Sequence, residues 1–335
     1  MMMDQAQGLR DLVASVREKR GDSAVQSVQK TVQISESQAA VPTAISRPAN
    51  FPSPVESFVL PRIRTSSHPR VICVASGKGG VGKSSMVLNL AILLSARGKK
   101  VLVVDADMGL ANIAIMAGIA PQYNLAHHLF GNVPLSSIII KCPSGVTILP
   151  GASGISELAD LGTENRQKLM EGLDALMGDY DIVLVDTGAG IGPNVVTFAM
   201  ASDEVLVVTM AEDIAVADAY GLIKTLFQKN INASVGLIVN RAGSREEAIT
   251  VIDKVRLVTG HFLGRTLDRS GFVLEDRGLR TYALKQKIIA EQKTFTPYVR
   301  CLRKLAEEIL VSVDGEMDQG AVKGFFKRLF GILGC

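Results

Sequence analysis

The stretch from Val71 to Ser85, which reads VICVASGKGGVGKSS, constrains the fold more than any other part of this chain. A short apolar, β-branched run enters a loop with four glycines, and a helical pattern from Met86 to Leu94 leaves it. Strand, glycine loop and helix in that order are the context of a phosphate-binding loop, and Gly77, Gly82, Lys83 and Ser84 fill the frame GxxxxGK[ST]. Gly77, Gly79, Gly80 and Gly82, with Val81 between the last two, let backbone N–H groups converge on phosphate oxygens. The helix opening at Lys83, Ser84 and Ser85 adds the positive end of its dipole. Lys83 would reach the β- and γ-phosphates, and Ser84 would offer its hydroxyl to Mg²⁺. These residues predict a nucleoside triphosphate site.

The rest of the body repeats one theme. Apolar runs at Val101–Val104, Val146–Leu149, Asp181–Val185, Val205–Val208 and Val235–Val239, and a weaker one over 267–274, read as strands. Helical patterns fall at Arg166–Met177, Ala217–Phe227, 279–290 and 297–312. Continuous rather than alternating apolar strands, separated by helices, predict an α/β fold with a mostly parallel central sheet covered on both faces. Ligands in such folds sit beyond the carboxyl ends of the strands. The polar residues at those ends are Asp105 and Asp107, Asp186, and Asn240 with Arg241. Asp186 precedes Thr187-Gly188-Ala189-Gly190 and reads as the acid that holds the Mg²⁺ shell, with Gly188 near the γ-phosphate. Of Asp105 and Asp107, one would join the metal shell and the other would orient the attacking water.

The two ends differ from this body of residues 69–313. Residues 1–20 predict a short amphipathic helix capped by Asp4, with Ala6, Leu9, Leu12, Val13 and Val16 on one face. Such a helix is marginal alone and would order against a partner or against its own domain. Residues 21–68 are rich in Gln and Ser, then in Pro, without period, and predict a flexible linker. Residues 314–335 open with a polar break and continue into an amphipathic segment. Val322, Phe325, Phe326, Leu329, Phe330 and Leu333 share one side, with Lys323, Lys327 and Arg328 beside or opposite them. This segment is too short to span a bilayer but suits an anionic membrane interface, the alternative being a helix docked on the body.

Overall charge is close to balance, 36 basic against 33 acidic residues, which gives no general argument for nucleic acid. Cys73, Cys142, Cys301 and Cys335 show no metal-ligand spacing and fit a reducing compartment. A cytoplasmic location is expected, since no basic-then-apolar leader and no run of membrane-span length is present.

Lys78, a second lysine directly after the first glycine of the loop, makes the reading specific. SGKGGVGKS over Ser76–Ser84 resembles the deviant Walker A motif of the MinD/ParA ATPases. Asp105–Asn112 (DADMGLAN) resembles their switch I, and Asp186–Gly190 (DTGAG) their Walker B and switch II. Within that group the chain is most similar to the FlhG family, also called FleN or YlxH. The N-terminal Asp4-Gln5-Ala6-Gln7-Gly8-Leu9-Arg10 matches that family's DQAxxLR motif, and Leu149–Gly154, the DTGAG form and Asp218-Ala219-Tyr220 also fit. Two loops depart from the family, which usually places prolines after Thr209 and before Glu275.

This resemblance implies an ATP-dependent homodimer with ATP sandwiched between subunits, and slow, switch-like hydrolysis to ADP. Lys78 would reach across to the partner subunit's phosphates, Asp107 would position the water, and Asp105 and Asp186 would serve the metal shell. Asn112 would contact nucleotide or the second subunit, and Asn240 the purine. It further implies regulation of flagellar number and placement from the cytoplasm, with reversible recruitment to the inner face of the cell membrane at the pole. Asp4, Gln5, Ala6, Leu9 and Arg10 would stimulate an FlhF-type GTPase. Flagellar switch and C-ring proteins, and a flagellar transcription regulator, complete the implied partners. A ParA-like ATPase that positions DNA would share the site but want a basic surface. An electron-transfer ATPase of the same fold would want paired cysteines, and Cys142 has no CxxC companion.

Overall fold

Eight strands form a single sheet: β1 (Arg70–Ser76), β2 (Val101–Ala106), β3 (Ile140–Lys141), β4 (Thr147–Leu149), β5 (Ile182–Ala189), β6 (Glu204–Thr209), β7 (Ser234–Ala242) and β8 (Arg269–Leu274). Their order is β3-β4-β2-β5-β1-β6-β7-β8. Every neighbouring pair is parallel except β3, which runs antiparallel to β4 at one edge. The computed structural model describes residues 69–107, 113–125, 127–128, 133–151, 163–279, 288–292, 295–314 and 324–332. The N-terminal helix and linker expected over residues 1–68, Asn112 of the switch, and Val322 and Leu333 of the tail lie outside them.

The helices are α1 (Lys83–Ser95), α2 (Ile113–Met116), α3 (Leu135–Ile138), α4 (Thr163–Gly178), α5 (Pro193–Ala201), α6 (Asp213–Gln228), α7 (Arg245–Leu263), α8 (Pro297–Asp314) and α9 (Phe325–Ile332). The sheet divides them. On one face Ile72, Val74, Val103 and Leu184 meet Met86, Leu90 and Leu94 of α1 and Val299, Leu302 and Ile309 of α8. On the other, Cys73, Val104, Val185 and Val207 meet α4 to α7. Because both faces are covered, every position of β1, β2 and β6 is buried, which is why these strands read as unbroken apolar runs. Truncating one such side chain, as in Ile72→Ala, is expected to cost about 2–5 kcal/mol.

The expected strands all form, and the α/β, mostly parallel architecture is the one the sequence predicts. Four helices, the one-turn α2 and α3 and the longer α5 and α7, were not anticipated, and α6 begins at Asp213 rather than at Ala217. Residues 280–287 of the expected 279–290 helix lie outside the described residues, and its end is a 3₁₀ turn at Ile289–Gln292.

The C-terminal helix α9 packs on α5 and α4. Phe325 and Leu329 are buried there, and the Phe325 ring stacks on Phe198 of α5 with centroids 6.4 Å apart. Arg328 fixes the helix by donating to Ala201 O at 2.7 Å and pairing with Asp203 at 3.0 Å. No helix among the described residues is long and apolar enough to cross a membrane.

Candidate nucleotide site

β1 ends at Ser76, and the chain turns through residues 77–82 before α1 opens at Lys83. Two glycines of this turn admit no side chain. A Cβ on Gly77 would run into the backbone carbonyl of Asp218 on α6, so this glycine lets α6 close on the loop. Gly82 has φ +86°, in the left-handed region, and a Cβ there would come within 2.6 Å of Asn240 Nδ2. The first turn of α1 holds no acidic residue, and no side chain caps it. Its N–H groups therefore remain available to an anion.

Lys83 is buried and donates to Asp186 Oδ1 at 2.6 Å. Asp186 stands where sheet register places Asp105 directly beside it, β2 and β5 being adjacent parallel strands. Burial raises the Asp186 pKa, against the pull of the Lys83 ammonium and of hydrogen bonds from Lys83 and Ser84. Burial also pushes Asp105 up to about 6, with the charges of Asp186 and Asp107 acting in the same direction. The backbone N–H groups of Ile113 and Asp107 donate to its carboxylate at 3.1 and 3.3 Å and oppose the rise. Asp107, half-buried, lies across from Gly188, whose added Cβ would sit 3.5 Å from Asp107 Oδ1. The loop after β5 is tied back to β1 by Gly190 N–H donating to Ser76 O at 2.8 Å. Lys83, Ser84, Asp105, Asp107, Asp186 and Gly188 thus share one end of the central strands, as their positions in the sequence predict.

Asn240 ends the inner part of β7 and donates Nδ2 to Val81 O at 2.7 Å. Its Oδ1 is buried with no hydrogen-bond partner among the described residues. An acceptor buried without a partner is costly, and the exocyclic amine of adenine would satisfy it. Arg241 adopts φ +56° and turns outward, where it pairs with Glu275 at 3.2 Å and reaches Met210 Sδ at 3.8 Å. The two loops in which this chain departs from the FlhG pattern are therefore bridged by Arg241 rather than set by prolines.

Lys78 points away from this buried group. Its Nζ pairs with Glu212 at 3.0 Å, with both side chains open to solvent. Sequence reasoning gave Glu212 no role, although it lies in one of the departing loops. Three large apolar side chains are exposed on segments that adjoin site residues in the chain: Ile115 in α2, Ile191 just after Gly190 and Ile214 at the start of α6, at 59%, 56% and 68%.

The residues fit Mg²⁺ and a nucleoside triphosphate. The buried cation, the uncapped helix start and the orphaned Asn240 acceptor match phosphate and base. Among the described residues no three His, Cys, Asp or Glu side chains form a cage for a metal. A hydroxyl and one or two carboxylates suit Mg²⁺, which keeps several waters and takes other ligands from phosphate.

Comparison with known proteins agrees with this geometry. Residues 69–237 match the model of the AAA domain family AAA_31. The chain is 36% identical over 227 residues to the antiactivator FleN of Pseudomonas aeruginosa, covering 68% of this chain and 81% of that protein. It is 33% identical over 270 residues to the flagellum site-determining protein YlxH of Helicobacter pylori, covering 79% and 91%. Its fold superposes on the septum site-determining protein MinD of Pyrococcus horikoshii, solved with Mg-ADP, with a TM-score of 0.57, 28% identity and coverage of 72% and 96%.

Proposed function

The chain belongs to the FlhG (FleN/YlxH) family of MinD/ParA-type P-loop ATPases, and on that premise we propose that it is an ATP-driven switch that sets flagellar number and placement. The observation that carries the proposal is the division of labour between two lysines. Lys83 is buried against Asp186, while Lys78 stands exposed at the mouth of the same loop.

Bound nucleotide supplies the transferable phosphoryl group, and Mg²⁺ supplies charge neutralisation. The protein's part is positioning. Lys83 and the loop N–H groups would hold the phosphates, Ser84, Asp186 and Asp105 would serve the metal shell, and Asp107 beside Gly188 would orient a water for attack. Asn240 selects adenine through its free Oδ1. Lys78 leaves Glu212 and crosses to a second subunit when the two mouths meet, and Ile115, Ile191 and Ile214 become buried in that contact. Hydrolysis separates the subunits and resets the switch.

The two ends of the chain carry the output. Residues 1–20, with Asp4, Gln5, Ala6, Leu9 and Arg10, stimulate an FlhF-type GTPase, and flagellar C-ring proteins and a flagellar transcription regulator are further partners. The tail targets anionic membrane at the cytoplasmic face. In the structure Phe325 and Leu329 are packed on α5, which begins two residues after Ile191. Membrane binding therefore requires α9 to leave α5, and α5 is the element through which the nucleotide loop reaches it.

Light scattering and ATP turnover test this reading together. Asp107→Ala should bind ATP, turn it over at least about tenfold more slowly and accumulate as a dimer, whereas Lys78→Ala should bind ATP as a monomer. An Asp107→Ala protein that stays monomeric with saturating ATP rules out the sandwich.

A further inference from the structure

The far end of α1 carries a second feature that the ATPase does not use. A cleft of about 220 Å³ lies between the last turn of α1, the 3₁₀ turn and α8, lined by Leu93, Ala96, Arg97, Ala290, Arg303 and Ala306. Its floor is apolar, since the lining residues Leu93, Ala290 and Ala306 are buried. Its rim is cationic. Arg97 and Arg303 flank the opening, and Arg300 and Lys304 follow on the exposed surface of α8. Phe295 is 77% exposed at its edge, with the Arg303 guanidinium 4.8 Å from its ring centroid.

We propose that this cleft docks a short acidic segment of a partner protein, with one large apolar side chain of that segment seated between α1 and α8. The volume accommodates a single side chain of leucine or phenylalanine size, not a cofactor. Arginine beside an exposed aromatic ring is the composition of a binding hot spot. Charge complementarity sets the sign of the occupant. Glu307 holds Arg97 at 2.7 Å in the free protein, but both side chains are about half exposed. Such a pair contributes little and yields to an incoming carboxylate. Glu308 lies 4.0 Å from Lys304, and Glu291 is exposed next to Ala290, so Arg97, Arg300, Arg303 and Lys304 stand against three acids and leave the rim with one net positive charge, carried at the opening by Arg303.

Position gives the surface its use. Lys83 opens α1 at the phosphates and Arg97 follows its last turn, so the cleft and the nucleotide are about 20 Å apart along one rigid helix. A partner bound here leaves the dimer face clear, and the protein can hold it in either nucleotide state.

Fluorescence anisotropy of the full-length protein with a fluorescein-labelled nine-residue peptide, a central phenylalanine flanked by glutamates, tests the proposal. Saturable binding is expected, weakening with added salt and weaker by at least about tenfold with a central alanine or with lysines in place of the glutamates. Arg303→Glu reverses the rim charge, and Ala96→Phe fills the cleft from an exposed position. Each should lower affinity at least about tenfold while binding of a fluorescent ATP analogue stays unchanged. Absence of saturable binding, equal binding of the alanine or lysine peptide, or wild-type affinity in either variant overturns it.

Discussion

Lys83, which opens α1 at the carboxyl ends of the strands, and Glu204, which opens β6 at their amino ends, are both buried charges, and their surroundings are opposite in kind. Lys83 faces an excess of acid: Asp186 in contact, Asp105 beside it in register, and Asp107 across the loop. The carboxylates of Asp105 and Asp186 are both pushed up by burial, so the free site is short of positive charge. Glu204 is instead closed in by Arg70 and by Arg269 at 3.4 Å, with Asp203 nearby, and Arg70 also donates to Ile309 O of α8. Glu308 of α8 faces the same group and Arg328 pairs with Asp203, so three cations and three acids balance there and tie β1, β6, β8 and α8 together. One end is left incomplete in a way that Mg²⁺ and phosphate would complete. The other is complete without a ligand.

That contrast is broken most directly at the balanced end. Glu204→Gln leaves Arg70 and Arg269 buried beside each other without their shared carboxylate, and Arg269 already acts to lower the Arg70 pKa. A loss of about 3–5 kcal/mol in urea unfolding is expected, with ATP affinity of the folded protein held within about twofold. A loss below about 1 kcal/mol would mean that the amino-end network is not structural.

Lys83→Ala should show the reverse pattern. ATP-analogue affinity should fall at least about a hundredfold, since phosphate charge loses its buried counter-ion. Stability should fall by under about 2 kcal/mol, because Asp186, already raised by burial, can take up a proton once unpaired. Large unfolding with retained affinity would reverse the assignment of the two ends.

A smaller effect follows from acidity. Asp105 titrates near 6 in the folded protein and near 3.8 in its absence, so folding takes up a proton between those values. This group therefore makes the free protein more stable as pH falls from above 6 toward 4, by about 1–2 kcal/mol, and the gain is lost as pH rises. Melting temperature measured from pH 5 to 7.5 should fall with pH, and Asp105→Asn should flatten the slope. Mg²⁺ with ADP should flatten it too, because a nearby divalent cation favours the charged carboxylate. An unchanged slope in Asp105→Asn would place the titration elsewhere.

The carboxyl end was far more legible in the sequence than the amino end, and the reason is chemical. The phosphate loop, Asp105 with Asp107, Asp186 and Asn240 each come at the end of an apolar run, so a linear reading places them together. Glu204, Arg70 and Arg269 come from three distant segments and carry no local pattern. Helix α7 did carry one: Ser244 accepts from Glu247 N–H and Glu247 accepts from Gly243 N–H, and Gly264 ends the helix at φ +60°. Its apolar positions Ala248, Val251, Ile252 and Val255 are helical in spacing but interleaved with charge. Helix α5 is only nine residues long and mostly apolar, so periodicity could not separate it from a strand. The cis partner of Lys78 was hidden for the same reason as the amino-end network, since Glu212 lies 134 positions away.

The tail joins the two ends and gives the smallest expected effect. Arg328 of α9 pairs with Asp203, which belongs to the balanced network, while Phe325 stacks on α5, which starts just after the nucleotide loop. Burial of Phe325 and Leu329 supplies most of the docking, roughly 1.5–3 kcal/mol for each side chain at most. The Arg328–Asp203 pair is about a fifth exposed on both sides and adds on the order of 1 kcal/mol or less. Asp203→Asn removes the charge but keeps an oxygen to accept the Val71 N–H, now bound at 2.8 Å. It should therefore loosen α9 without disturbing β1. With ADP, sedimentation of the full-length protein with anionic liposomes should rise by about threefold, the change expected for a docking equilibrium weakened by less than 1 kcal/mol. Removal of residues 321–335 should abolish sedimentation in either nucleotide. Wild-type sedimentation of Asp203→Asn would leave apolar packing alone as the latch, and persistent binding of the truncated protein would move the membrane contact off the tail.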